Sequence, residues 1–354
     1  MRIIDADGHV AEGPSLAVEA MRRWPQHIVS RDDGRGLVIE GRNYPEESGP
    51  GAGCPREHGL FSADGIDHSS AQGVLRDADR DHIDTMVLYP SLGLCAPSLE
   101  DPEFAAGFAR LYNQWIADYC RPTDGRLRGI AVTPIEHGEV AIDIMREAMD
   151  LGLVATHIPP ALATRNLDHP DLDPFYSAAV ELDMPLGIHG APGIHLPNLG
   201  SHRFDNYLQV HCVSFPFDMM VASTALILGG VFERHPTLRV ALLESGVGWV
   251  PYFMERMEEH LEKRGRLTPE CRHEPKEYIA RGQLYVSCEP EEVSVPLAVE
   301  ALGDHFIMYA SDYPHWDSDF PNSTRPLRER RDISDAVRAK IMGENAERFY
   351  RLAA

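Results

Sequence analysis

The 354-residue sequence predicts an α/β protein, a (β/α)8 TIM-like barrel with insertions after its first and fifth strands. Three observations predict it. Eight short apolar runs recur along the chain, amphipathic stretches lie between most of them, and ligand-type polar residues close several of the runs.

The runs are Ile3–Asp7, Thr85–Pro90, Leu127–Pro134, Leu153–Pro159, Met184–His189, Leu238–Glu244, Gln283–Cys288 and His305–Asp312. The runs are short and read as buried on both faces, as parallel strands should be. Helical spacing of apolar residues marks 103–119, 139–151 and 217–232. Two segments break the rhythm: residues 11–76, rich in Gly, Pro and Asp, and residues 191–216. Both follow strand C-termini, where a barrel carries its active-site loops. They read as insertions over the mouth, so residues 1–354 are expected to form one domain.

The charge balance is 33 basic against 55 acidic residues, a formal net of −22. That argues against nucleic-acid or anionic-membrane partners, which need a basic surface. No apolar run approaches the roughly 18 residues of a membrane span, and the N-terminus lacks a signal pattern; a cytoplasmic location is the expectation. The six cysteines are scattered without a C-x-x-C pair and are expected to be free, buried thiols.

The chemistry-bearing residues close the strands. Asp7 and His9, spaced i, i+2, can both face the barrel interior from extended backbone. Alone, such a pair is equally a capping Asp and a surface His. His189 ends the fifth run, Glu244 the sixth and Asp312 the eighth, and His157 lies near the end of the fourth. Carboxylates and imidazoles gathered on one barrel face suit zinc, manganese or iron. Further candidates are Glu12, otherwise an exposed loop carboxylate, and His211, an acid/base or ligand unless it is a structural His at the start of a Pro216–Gly229 helix. His315 is placed to orient Asp312. Arg203, Arg325 and Arg328 are possible anchors for a substrate carboxylate, with surface positions the alternative; Trp249 reads as core.

Asp7-Gly8-His9, the strand-five His, the Arg-His-Pro-Thr-Leu-Arg-Val run before Glu244-Ser-Gly-Val-Gly-Trp249, and Ser-Asp-Tyr-Pro-His315 together resemble the amidohydrolase-related family. This is the branch that holds aminocarboxymuconate-semialdehyde and γ-resorcylate decarboxylases. The resemblance implies a divalent-metal site with Asp7, His9, His189 and Asp312 as ligands, and a homodimer. Two departures stand out. The family's first-strand motif usually begins with His or Glu, and many relatives carry a catalytic His where this chain has Glu244.

The expected function is a metal-dependent hydrolase or decarboxylase acting on a carboxylated or carbonyl-bearing small molecule, with Asp312, His211 and Glu244 as catalytic groups. One alternative is a non-heme diiron monooxygenase on the same barrel, with Glu12, His157, His211 and Glu244 available as extra ligands. Another is a barrel that binds without chemistry.

Overall fold

The computed structural model describes residues 1–32, 36–55, 59–61, 66–68 and 70–352. Parts of the predicted 11–76 insertion and the last two residues of the expected 1–354 domain lie outside them. Eight parallel strand positions follow the eight apolar runs: Ile4–Val10, Thr85–Pro90, Leu127–Gly129 continued by Ala131–Val132, Thr156–Ile158, Leu186–Ile188, Val240–Leu242, Leu284–Cys288 and Ile307–Tyr309. The third is interrupted at Ile130, but the sheet passes through it. Ile130 N–H donates to the Leu88 carbonyl and Ala131 N–H to that of Ala155, at 3.1 and 2.9 Å.

The ring closes between the first and eighth strands. Asp312 N–H donates to Asp7 O (3.0 Å) and His9 N–H to Tyr313 O (2.6 Å). The buried Asp5 carboxylate accepts from the Ser311 amide and hydroxyl, and so ties the same two strands together. Burial pushes Asp5 up to about 6, against these hydrogen bonds.

Ile4, Ala6, Val87, Tyr89, Ile130, Ala155, Ala241 and Met308 fill the interior, with Phe349 and Tyr350 of the last helix, Asn345–Tyr350, packed among them. Tyr350 donates to Ala6 O (2.7 Å) and pairs with the Tyr89 hydroxyl (3.0 Å). Gly187 shares this space: a Cβ there would stand 2.0 Å from the Tyr89 hydroxyl oxygen. Gly187→Ala is expected to destabilise the fold by about 1–3 kcal/mol through overpacking, measured by urea denaturation; an unchanged midpoint would contradict this packing.

In a regular strand, Ala6 and Asp7 would point to opposite faces. The register of the first strand against the second shifts between Asp5 and Gly8. That bulge lets Ile4 and Ala6 fill the interior while Asp7 and His9 face the mouth. Bulges often re-aim side chains beside active sites in this way.

The two insertions are joined. The first contains a small antiparallel sheet, Ile28–Ser30, Leu37–Ile39 and Arg42–Tyr44. Glu46 N–H donates to Gly193 O (2.9 Å), and His195 Nε2 lies 2.6 Å from Asn43 O.

Three expectations need correction. The helix expected from residue 217 runs Tyr207–Leu228, with Pro216 inside it, so His211 sits on the helix instead of before it. It starts early because Asn206 caps it, accepting from Gln209 N–H. By length and apolarity this helix could cross a membrane, contrary to the sequence expectation, but 56% of its most apolar window is buried in the protein. The cysteines are free, as expected, yet Cys212 is exposed; Cys95 and Cys288 are buried.

Candidate active site

Four strand ends bring their ligand-type residues to one point at the mouth. His9 Nδ1 lies 2.9 Å from Pro90 O and His189 Nδ1 2.7 Å from Gly190 O. A ring nitrogen facing a carbonyl must carry a proton, which turns the Nε2 of each ring toward the cluster. The two Nε2 atoms are 3.1 Å apart. Asp312 Oδ1 lies 3.3 Å and Asp7 Oδ1 3.8 Å from His9 Nε2.

Both Asp7 oxygens and Asp312 Oδ2 are buried without a hydrogen-bond partner. Lone pairs that converge in a buried site are repulsive until a cation sits among them. The N/O donor set therefore fits a divalent metal, and Asp7, His9 and His189 offer atoms within 4.8 Å of one another.

Without a cation, protons relieve the crowding instead. Burial pushes the Asp7 and Asp312 carboxyls well above the usual carboxylate range, and Glu244 adds to both shifts. Burial would lower His189, but Asp7 and Glu244 outweigh it and raise the group to about 9. Burial and then His315 drive His9 well below the ordinary histidine value. Opposing burial, His189 and His211 hold Glu244 below the usual carboxylate range.

Glu244 and Asp312 both have left-handed backbone, with φ of 50° and 52°. This is uncommon for non-glycine residues, especially for Glu, and such strain concentrates at functional sites. It turns each carboxylate from its strand end toward the cluster. Glu244 Oε2 is 2.9 Å from His189 Nε2, and its Oε1 is 3.5 Å from His211 Nε2. His315 Nδ1 meets Asp312 Oδ1 at 2.8 Å, as the sequence predicts.

Two predicted ligands are placed elsewhere. Glu12 is half-buried, not exposed, and accepts from the amides of Ser91, Leu92 and Gly93 at 2.8–3.2 Å. It braces the loop after the second strand, which occupies its oxygens. Burial holds it up at about 7 against those amides. Glu12→Ala should cost about 2–4 kcal/mol, because buried amides lose their acceptor, while bound metal is unchanged. Loss of metal in a folded variant would return Glu12 to the ligand set. His157 Nε2 donates to the His189 carbonyl at 3.0 Å, fixing the backbone behind His189 instead of facing the cluster. Burial lowers it to about 3.

His189, Glu244 and His315 of the cluster line a cavity of about 420 Å³. Tyr44, Phe61, Tyr207, Phe215 and Trp316 give it apolar walls; Ser91, His211 and Asp317 add polar groups. Trp316 donates to the Tyr207 hydroxyl at 3.2 Å. None of the three candidate arginines lines this cavity. Arg203 is exposed on a short helical turn, Arg325 pairs with Glu329, and Arg328 lies with Arg325 around a different surface hollow. Asp317, two residues beyond the quoted motif, is the group that sequence reading missed. Its signal was its place on the same turn as Asp312 and His315.

A 2-amino-3-carboxymuconate-6-semialdehyde decarboxylase of Dictyostelium discoideum is 26% identical over 285 residues, 78% of this chain and 76% of that one. Among solved structures, an amidohydrolase of Mycobacterium avium subsp. paratuberculosis superposes with a TM-score of 0.78 at 19% identity, covering 99% of both chains. A dihydroxybenzoic acid decarboxylase of Polaromonas, solved with manganese and the inhibitor 2-nitroresorcinol, gives 0.69 at 20%, covering 99% of this chain and 97% of that one. The sequence profile of the amidohydrolase family runs from residue 4 to residue 352. Together with the metal-type cluster at the strand ends, that span makes the chain a member of the amidohydrolase family of metal-dependent enzymes.

Proposed function

We propose that the protein is a metal-dependent decarboxylase of a small, planar carboxylic acid, with Asp7, His9, His189 and Asp312 holding a divalent cation. The observation that carries this reading is the pair of imidazole Nε2 atoms, 3.1 Å apart, facing the unpartnered buried oxygens of Asp7 and Asp312 beside an aromatic-walled cavity. When bound, the cation would supply Lewis-acid stabilisation of negative charge on the substrate. Zinc, manganese and iron all suit the donors; manganese is the first to try, because the Polaromonas relative binds it.

The protein's own groups do the rest. Asp312, oriented by His315 through Oδ1, holds a proton at Oδ2 and delivers it to the carbon from which CO2 departs. Glu244 and His211 border the same cavity and provide a second acid/base pair. Tyr207, Phe215 and Trp316 hold a flat substrate and exclude water. The chain is proposed to work as one domain, as a homodimer, in the cytoplasm.

The test is CO2 release from a panel of hydroxylated benzoic acids and unsaturated dicarboxylic acids by the manganese-loaded protein. Turnover of at least one acid, lost on chelation and regained with manganese, is the expected result. Hydrolysis of esters or amides without CO2 release would replace decarboxylation by hydrolysis. Oxygen uptake coupled to substrate by iron-loaded protein would instead favour the diiron monooxygenase.

A further inference from the structure

A second hollow, of about 580 Å³, lies between the two insertions and the Tyr207–Leu228 helix. Ala191, Pro192 and Ile194 line the active cavity, whereas Ala191, Gly193 and His195 line this hollow. The two spaces therefore share a wall, the segment that follows His189 and Gly190. None of the metal-type residues at the strand ends borders the second one.

One residue in its lining stands out. Asp218 carries the only carboxylate of the Tyr207–Leu228 helix, and no lysine or arginine shares that helix. It is 2% exposed. Its Oδ1 accepts from Leu199 N–H at 2.7 Å, but its Oδ2 is buried without a hydrogen-bond partner. Burial pushes the group up to about 6, against that amide. At neutral pH it still carries its charge, with one oxygen unpaired. Such an oxygen is costly until a donor meets it.

Asn198, the neighbour of Leu199, also lines the hollow, and its side-chain Oδ1 is likewise buried and unpartnered. Ser201 donates to the Asn198 carbonyl at 3.2 Å and holds this turn in place. Glu46 adds a second carboxylate from the first insertion. Among the described residues, no lysine or arginine lines the hollow to offset these charges. Pro50, Leu196 and Val221 give it apolar surface. Acceptors without donors on an apolar wall are complementary to a cation that carries N–H groups and a hydrocarbon body. A bare metal ion would leave the apolar wall unused.

We propose that the hollow lined by Asp218 and Asn198 is a second ligand site, separate from the active cavity, for a small organic ammonium ion. The ammonium donates to Asp218 Oδ2 and Asn198 Oδ1, and the hydrocarbon lies against Pro50, Leu196 and Val221. Neither the metal nor decarboxylation enters this site, so it stands or falls apart from the function proposed above.

The test uses benzylammonium chloride and full-length, manganese-loaded protein near neutral pH, with isothermal titration calorimetry and crystal soaking. The wild type should bind it, with density in the hollow and the nitrogen within hydrogen-bond reach of Asp218 Oδ2. Asp218→Asn keeps an acceptor for the Leu199 amide but loses the charge, and should bind at least about tenfold more weakly. Benzyl alcohol, similar in shape but neutral, should bind the wild type more weakly by a similar factor. Val221→Phe fills part of the hollow and should also lose binding, which covers the case in which the Asp218 variant does not fold. Equal binding of benzyl alcohol, or unchanged affinity in the folded variants, overturns the ammonium site. Density in the active cavity alone overturns it too. So does the absence of binding in solution, with or without density in the crystal; density alone would mark an adventitious additive only.

Discussion

Replacing Asp312 by Asn should reduce decarboxylation by at least about 10³-fold, within the range lost when a positioned acid/base or charge-stabilising group is removed. The amide keeps the size of the side chain and can still accept from His315 Nδ1, so the fold should survive. It cannot hold and return a proton at Oδ2, the buried oxygen without a hydrogen-bond partner. Steady-state kinetics on the manganese-loaded variant, with circular dichroism as the check on folding, decides the point. Retention of more than a tenth of wild-type activity would take the proton-handling role away from Asp312.

The second large effect is expected at the imidazoles. His9→Ala or His189→Ala should leave the protein folded but unable to retain metal through gel filtration, with turnover below detection. Each ring turns one Nε2 toward the cluster, and a transition-state charge stabilisation of several kcal/mol goes with the cation. A variant that keeps its metal and its turnover would show that the cation is held elsewhere.

The strand ends were legible in sequence because a barrel forces two visible constraints on them. Its strands must be apolar on both faces, and its chemistry must appear where the apolar run stops. His189 and Asp312 satisfy both, and the structure puts them within reach of His9. The i, i+2 spacing of Asp7 and His9 was also readable. The bulge between Asp5 and Gly8, which lets Ala6 share the interior with them, was not. A bulge is set by pairing with the neighbouring strand, and that strand begins 75 residues after Val10.

The misplaced candidates share one cause. Glu12 looks like a loop carboxylate until the Ser91–Gly93 amides, about 80 positions away, are folded onto it. His157 lies near the end of its strand, but its ring is turned to the His189 carbonyl. Position along a strand is readable from one run of sequence, whereas the partner of a buried polar group is a tertiary fact. The Asp317 contribution was hidden for the same reason, since His211 reaches it from a helix a hundred residues earlier. That helix itself extends ten residues beyond its expected start, because its apolar pattern is weak around His211 while its Asn206 cap is effective.

The central claim is the location of the cation, and anomalous diffraction from crystals soaked in manganese tests it without knowledge of the substrate. The account predicts a peak bonded to the Nε2 atoms of His9 and His189 and to the carboxylates of Asp7 and Asp312. A crystal in which manganese occupies other residues, or in which those four side chains keep their places around no metal at millimolar manganese, would contradict it.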